Sequence, residues 1–115
     1  MPKSASMVKE LILFRLPLGE KTDEFNALFR QVQEEMEKLG VKPGVRWGTV
    51  AGSRTAIIER EFDSLAEYEA DDAAFHGGKE FMALWRRMEA CADSMEVLLW
   101  QTQRSAAEVA AARAR

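Results

Sequence analysis

Twice in 115 residues the sequence runs an apolar strand into an amphipathic helix, and that repeat restricts the chain to few folds. The first copy is a strand over 8–18 and a helix over 23–39; the second is a strand over 54–62 and a helical segment over 65–92. In the first strand Val8, Ile12, Phe14 and Leu16 share one face, and Leu11 and Leu13 share the other. A strand apolar on both sides is covered on both sides, which predicts a central place in a sheet. Two more strands are predicted over 44–51 and 95–103. The second of these, with Val97, Leu98, Leu99 and Trp100 in a row, reads as another strand buried on both faces.

The helices carry their own punctuation. Thr22 is the expected N-cap of the first, with Asp23 and Glu24 in the first turn, where negative charge suits the helix dipole. Phe25, Leu28, Phe29, Val32, Met36 and Leu39 form one stripe at three- and four-residue spacing, and Gly40 and Pro43 end it. Gly52 and Ser53 read as a two-residue hairpin turn. That turn predicts Thr49 opposite Ala56, Trp47 opposite Ile58, Arg46 opposite Glu59 and Val45 opposite Arg60. Ser64 with Glu67 three residues on is a capping box that starts the next helix. Gly77 and Gly78 interrupt it, and Phe81, Leu84, Trp85 and Met88 form the stripe of the part that follows.

The order strand, helix, strand, strand, helix, strand is the split arrangement of an α+β, ferredoxin-like βαββαβ sandwich with a four-stranded antiparallel sheet. Helices on one face leave the other bare. Leu11, Leu13, Leu98 and Trp100 would then form a larger apolar patch than monomers usually expose, so a homodimer through the open sheet faces is expected. Residues 1–7 read as a flexible arm, 8–103 as the folded domain, and 104–115 as an Ala-rich tail able to form a helix.

Composition narrows the partners. With 47% hydrophobic and 30% charged residues the chain suits a globular domain rather than a disordered one. A net charge of −3, with scattered basic residues, favours neither nucleic acid nor an anionic membrane. Leu11–Phe14 is too short an apolar run for a signal peptide, and no stretch reaches the length of a membrane span. One cysteine, Cys91, makes no disulfide framework and reads as a small core residue, so a cytoplasmic location is expected.

Two groups of residues carry candidate chemistry. Tyr68, Asp72 and His76 recur every four residues and share a helix face with Leu65 and Phe75. A carboxylate beside the only histidine fixes the imidazole tautomer and raises its basicity, so Asp72 and His76 are a candidate acid/base pair with Tyr68 as a donor. The bland alternative is a histidine placed at a helix C-terminus, where a cation is welcome. Trp47, Arg60 and Trp100 could wall a cavity for an aromatic ligand; alternatively the tryptophans are core and Arg60 reaches out to solvent. Arg46 and Glu59 are expected to form a cross-strand ion pair. No metal-ligand spacing and no phosphate-binding glycine loop is present.

The double-sided strands and the run Phe62, Asp63, Ser64, Leu65, Ala66, Glu67, Tyr68, Glu69 resemble the dimeric α/β-barrel superfamily. Its NIPSNAP-like and antibiotic-biosynthesis-monooxygenase-like members are the nearest in kind. The break before Lys79, Glu80 and Phe81, and then Leu84 and Trp85, matches the short second helix of that group. The resemblance implies a ligand site within each protomer. It also implies a cofactor-free, monooxygenase-like enzyme acting on an aromatic or polyketide-like substrate; the residues permit that class, with His76 and Asp72 as the base and Arg60 and Tyr68 stabilising oxyanion charge. The alternative of another class is a non-catalytic ligand-binding or structural homodimer. Haem-degrading relatives pair a histidine with a tryptophan and a first-strand asparagine; residues 8–18 contain no asparagine, so haem is not expected and no cofactor is assigned.

Overall fold

The computed structural model describes residues 7–48 and 54–101. Four strands, β1 (Val8–Arg15), β2 (Val45–Gly48), β3 (Thr55–Phe62) and β4 (Ser94–Gln101), form one antiparallel sheet in the order β2-β3-β1-β4. Three helices, α1 (Glu20–Leu39), α2 (Leu65–Gly77) and α3 (Lys79–Ala90), supply the second layer. This is the ferredoxin-like arrangement expected from the element order. Residues 1–6, 49–53 and 102–115 lie outside the described residues, and with them most of the expected arm, the expected hairpin turn and the expected tail.

Alternation in β1 sorts the sheet faces. Val8, Glu10, Ile12 and Phe14 are buried toward the helices, and Leu11 and Leu13 are half-buried on the other face. The stripe of α1 packs onto that inner face, with Phe25 edge-on to Phe14 at 5.0 Å between ring centroids. Trp85 of α3 reaches the same phenylalanine at 5.7 Å, so a single aromatic cluster ties both helices to the central strand. Cys91 is part of this core, 5% exposed, and burial pushes its thiol pKa up.

Four local expectations are corrected. Thr22 does not cap α1: the helix starts at Glu20 after Gly19, and the buried Thr22 hydroxyl donates to the Pro17 carbonyl. Gly19 has φ of 100°, a conformation open to glycine, so the strand-to-helix bend occurs three residues earlier than the threonine suggests. The β2–β3 register is offset by one from the expected one, with Val45 opposite Glu59, Arg46 opposite Ile58, Trp47 opposite Ile57 and Gly48 opposite Ala56. An offset of one turns every β2 side chain to the other face. Arg46 therefore lies against the helices, over Phe29 at 4.8 Å and hydrogen-bonded to Asn26, and makes no pair with Glu59. Glu59 pairs instead with Lys9 at 3.4 Å.

The fourth correction concerns β4. It is an edge strand rather than a strand buried on both faces, and Val97, Leu99 and Trp100 are all exposed in the single chain. The outer sheet face carries Leu11, Leu13, Ile57, Leu98, Trp100, Val45 and Trp47. Among the described residues no helix packs on that side. At its end α1 closes as expected, with Gly40 in the left-handed region at φ 73° and its N–H on the carbonyls of the last turn.

Candidate functional site

Ser64 caps α2, accepting the Glu67 N–H at 3.1 Å, while a Glu67 carboxylate oxygen accepts the Asp63 N–H at 3.1 Å. This anchoring sets the rotation of α2 and brings Tyr68, Asp72, Phe75 and His76 over the inner sheet face. Between that face of α2, Trp85 of α3 and strands β1, β3 and β4 lies a cavity of about 220 Å³. Arg60, Tyr68, Asp72 and His76 all line it, together with Glu10. The remaining walls are apolar or aromatic: Ile12, Phe75, Trp85, Met95 and Val97.

Arg60 is the best buried of the polar groups, at 2% exposure, and does not reach solvent. Its Nε donates to Glu10 Oε1 at 2.7 Å, and its Nη1 donates to Asp71 Oδ1 at 2.7 Å and to the Lys42 carbonyl at 3.2 Å. Asp71 also accepts the Lys42 N–H at 2.7 Å. The guanidinium lies 5.1 Å from the Phe62 ring and 5.5 Å from the Phe75 ring. Burial by itself would lower the arginine pKa, but the two carboxylates outweigh it and the net direction is upward. Arg60 is thus a fixed cation whose Nε and Nη1 hydrogen bonds are made within the protein.

Tyr68 is half-buried, its ring edge-on to Phe62 at 5.3 Å. Burial, then the nearby charges of Glu10 and Asp72, push its pKa up to about 12. The phenol is therefore neutral over the ordinary pH range.

His76 stands at the rim and is exposed. Its Nδ1 lies 2.9 Å from the Asp72 carbonyl oxygen and 3.3 Å from Asp72 Oδ1. A carbonyl oxygen only accepts, so Nδ1 carries the proton and Nε2 keeps its lone pair when the ring is neutral. His76 thus sits in the last turn of α2 with its neutral tautomer fixed.

Trp47 and Trp100 stand elsewhere. Both lie on the outer face of the sheet, 55% and 54% exposed, and neither lines the cavity. Trp47 was expected to share a face with Arg60, and the register offset separates them. Two residues of the site were missed by sequence reasoning: Glu10 and Asp71. Glu10 had a legible signal, an acid at an inward position of a central strand, which requires a buried cation as partner. Asp71 had none, because only the three-dimensional path of α2 brings it beside Arg60.

The fit of a haem can be judged from these dimensions. A cavity of about 220 Å³ is too small for a porphyrin. The site does not fit haem. Among the described residues no cluster of three or more His, Cys, Asp or Glu is placed to hold a metal ion. No described helix is long and apolar enough to cross a membrane.

No protein-family model matches the sequence, and no curated protein matches it. Solved structures do. A NIPSNAP family protein from Agrobacterium tumefaciens superposes with a TM-score of 0.66 at 20% identity, covering 84% of this chain and 86% of that one. SnoaB, a cofactor-independent oxygenase from Streptomyces nogalater, superposes with a TM-score of 0.59 at 12% identity, over 88% and 97%. A dimeric protein of ferredoxin-like fold from Bacteroides fragilis gives a TM-score of 0.58 at 16% identity, over 84% and 96%. Similarity at this level of identity speaks to architecture rather than activity. The chain has the ferredoxin-like fold that NIPSNAP proteins share with monooxygenase-like proteins.

Proposed function

We propose that this protein is a homodimer that binds a small aromatic molecule in the cavity between the sheet and α2/α3 of each protomer. The observation that carries the reading is convergence: Arg60, Tyr68, Asp72 and His76, from two elements, line one mostly apolar cavity. Ligand sites commonly measure about 300–1,000 Å³, so a cavity of about 220 Å³ suits a small ring system better than a polycyclic polyketide. The dimer is supported by the apolar outer sheet face and by the dimeric Bacteroides fragilis protein of the same fold.

Amide and indole NMR shifts test the binding reading, using a panel of one- and two-ring aromatics. The Trp85 indole N–H should move on binding while Trp47 and Trp100 stay still. Val97→Phe, which fills the cavity from its exposed edge, should abolish the shift. Binding that persists in that variant places the ligand elsewhere and ends the proposal.

A catalytic reading is favoured by one observation, the Nδ1–H tautomer that Asp72 imposes on His76. In this reading His76 Nε2 takes the proton of a phenolic substrate, and the ring anion passes one electron to dioxygen. The ring radical and superoxide combine at a ring carbon. The resulting hydroperoxide, once protonated, loses water and leaves a carbonyl at that carbon. No cofactor is called for, and the protein supplies a base and a dry pocket. Arg60 stabilises oxyanion charge only through the field of the cavity, since its Nε and Nη1 hydrogen bonds are already made. Oxygen uptake with one- and two-ring hydroquinones should fall sharply in His76→Ala; uptake unchanged by that substitution rules out the assignment. The soluble, cytoplasmic setting that such a substrate would require is part of the proposal.

A further inference from the structure

The charges around the cavity specify the ligand more closely than its shape does. One cation, Arg60, stands among three carboxylates: Glu10 at 2.7 Å, Asp71 at 2.7 Å but outside the cavity lining, and Asp72, which lines the cavity with Arg60 and Glu10. The first two already use the guanidinium, which leaves the negative charge in excess. Asp72 has the His76 imidazole beside it, Nδ1 to Oδ1 at 3.3 Å. Lys42, the nearest other cation of that region, is turned outward to Glu67 at 3.3 Å and lies over the Phe62 ring. The same cavity is lined by the rings of Phe75 and Trp85, packed edge to face at 5.0 Å. An excess of carboxylate beside aromatic rings in one cavity attracts an organic cation and repels an anion.

We infer that the cavity selects an aromatic ligand bearing a protonated amine, its ammonium held by Asp72 and its ring packed against Phe75 and Trp85. The inference rests on the binding reading above and deepens it by naming the charge of the ligand. A phenolic substrate of this kind would carry its own counter-charge beside Asp72 and Glu10, which offsets the cost of forming a phenolate there. The Tyr68 hydroxyl, neutral up to about pH 12, adds no charge of its own.

Benzylamine, benzyl alcohol and benzoate form a matched set of nearly equal size and three different charges. Titration of each into the full chain, followed at the Trp85 indole N–H, tests the inference. Benzylamine should bind about tenfold or more tighter than benzyl alcohol, and benzoate should give no Trp85 shift at matching concentration. Asp72→Asn should remove most of the preference for the amine, with its fold checked by the same spectrum. Equal affinity for amine and alcohol, or binding of benzoate, overturns the charge assignment while leaving a ligand cavity in place. Benzylamine shifts confined to surface acidic residues, or a preference undiminished in Asp72→Asn, overturn it as well. No Trp85 shift with any of the three overturns both the inference and the binding reading.

Discussion

Arg60 and Glu10 stand directly opposite each other on β3 and β1, and their side chains meet at 2.7 Å, buried beneath the helices. The chain separation is 50 residues, so the pair forms only when the two central strands are in register. Removing one member of a buried ion pair strands the other charge, at a cost of about 3–5 kcal/mol. Arg60→Met should destabilise the protein by that amount in urea unfolding, because Glu10 and Asp71 both lose their cation. Arg60→Met combined with Glu10→Leu should recover a large part of the loss. A double variant no more stable than the single one would show that the pair contributes nothing as a unit.

Tyr68 is the only tyrosine in the chain, so tyrosinate absorbance reads this one residue. An ordinary tyrosine ionises near pH 10; Tyr68 should do so near pH 12. The folded state thus holds its proton to higher pH than the unfolded state. Its contribution to stability is complete below about pH 10 and is lost as pH rises through about 12. Tyr68→Phe should remove that part of the alkaline decline. A midpoint near 10 in the folded protein would contradict the burial and the nearby Glu10 charge.

Gly44 leads into β2 with its backbone against β3. A Cβ there would collide with Ile58 Cγ2 and would come within 3.1 Å of Arg60 Cγ and 3.2 Å of the Glu59 carbonyl oxygen. Gly44→Ala should cost about 1–3 kcal/mol, the usual scale of overpacking. The damage should extend to the cavity, since Arg60 would have to move. A neutral effect on Tm would mean that β2 can shift outward without loss.

Leu13 and Leu98 lie on the outer face of the sheet, where the described residues offer no cover. Leu13→Glu or Leu98→Glu should convert the proposed dimer to a monomer or an aggregate, as read by light scattering after size exclusion. Asp72→Asn, in the cavity, should leave the mass unchanged. A wild-type protein that runs as a 13.0 kDa monomer at micromolar concentration would end the dimer proposal.

Much of this fold was legible because it follows from local rules. Two-sided apolarity marked β1 as central, the stripe from Phe25 to Met36 marked α1, and Ser64 with Glu67 marked the start of α2. Helical spacing likewise brought Tyr68, Asp72 and His76 together, since residues four apart share a face whatever surrounds them. What the residue pattern left open was decided between elements. Gly52 and Ser53 could accommodate more than one β2–β3 register, and an offset of one residue sent Trp47 to the outer face and Arg46 to the inner one. The row Val97 to Trp100 is apolar enough for a central strand; it lies at the sheet edge because it pairs with β1 on one side and no described strand lies beyond it. The neutralising partners of Arg60 belong to the same class. Glu10 lies on the neighbouring strand and Asp71 on a helix, and burial of a charge is a property of how elements pack rather than of any single run of residues. Sequence by itself determined which segments form helices and strands and which residues could carry chemistry. Only the tertiary structure decided which of those residues share a cavity and which face the open side of the sheet, because register and long-range ion pairing exist only after the elements meet.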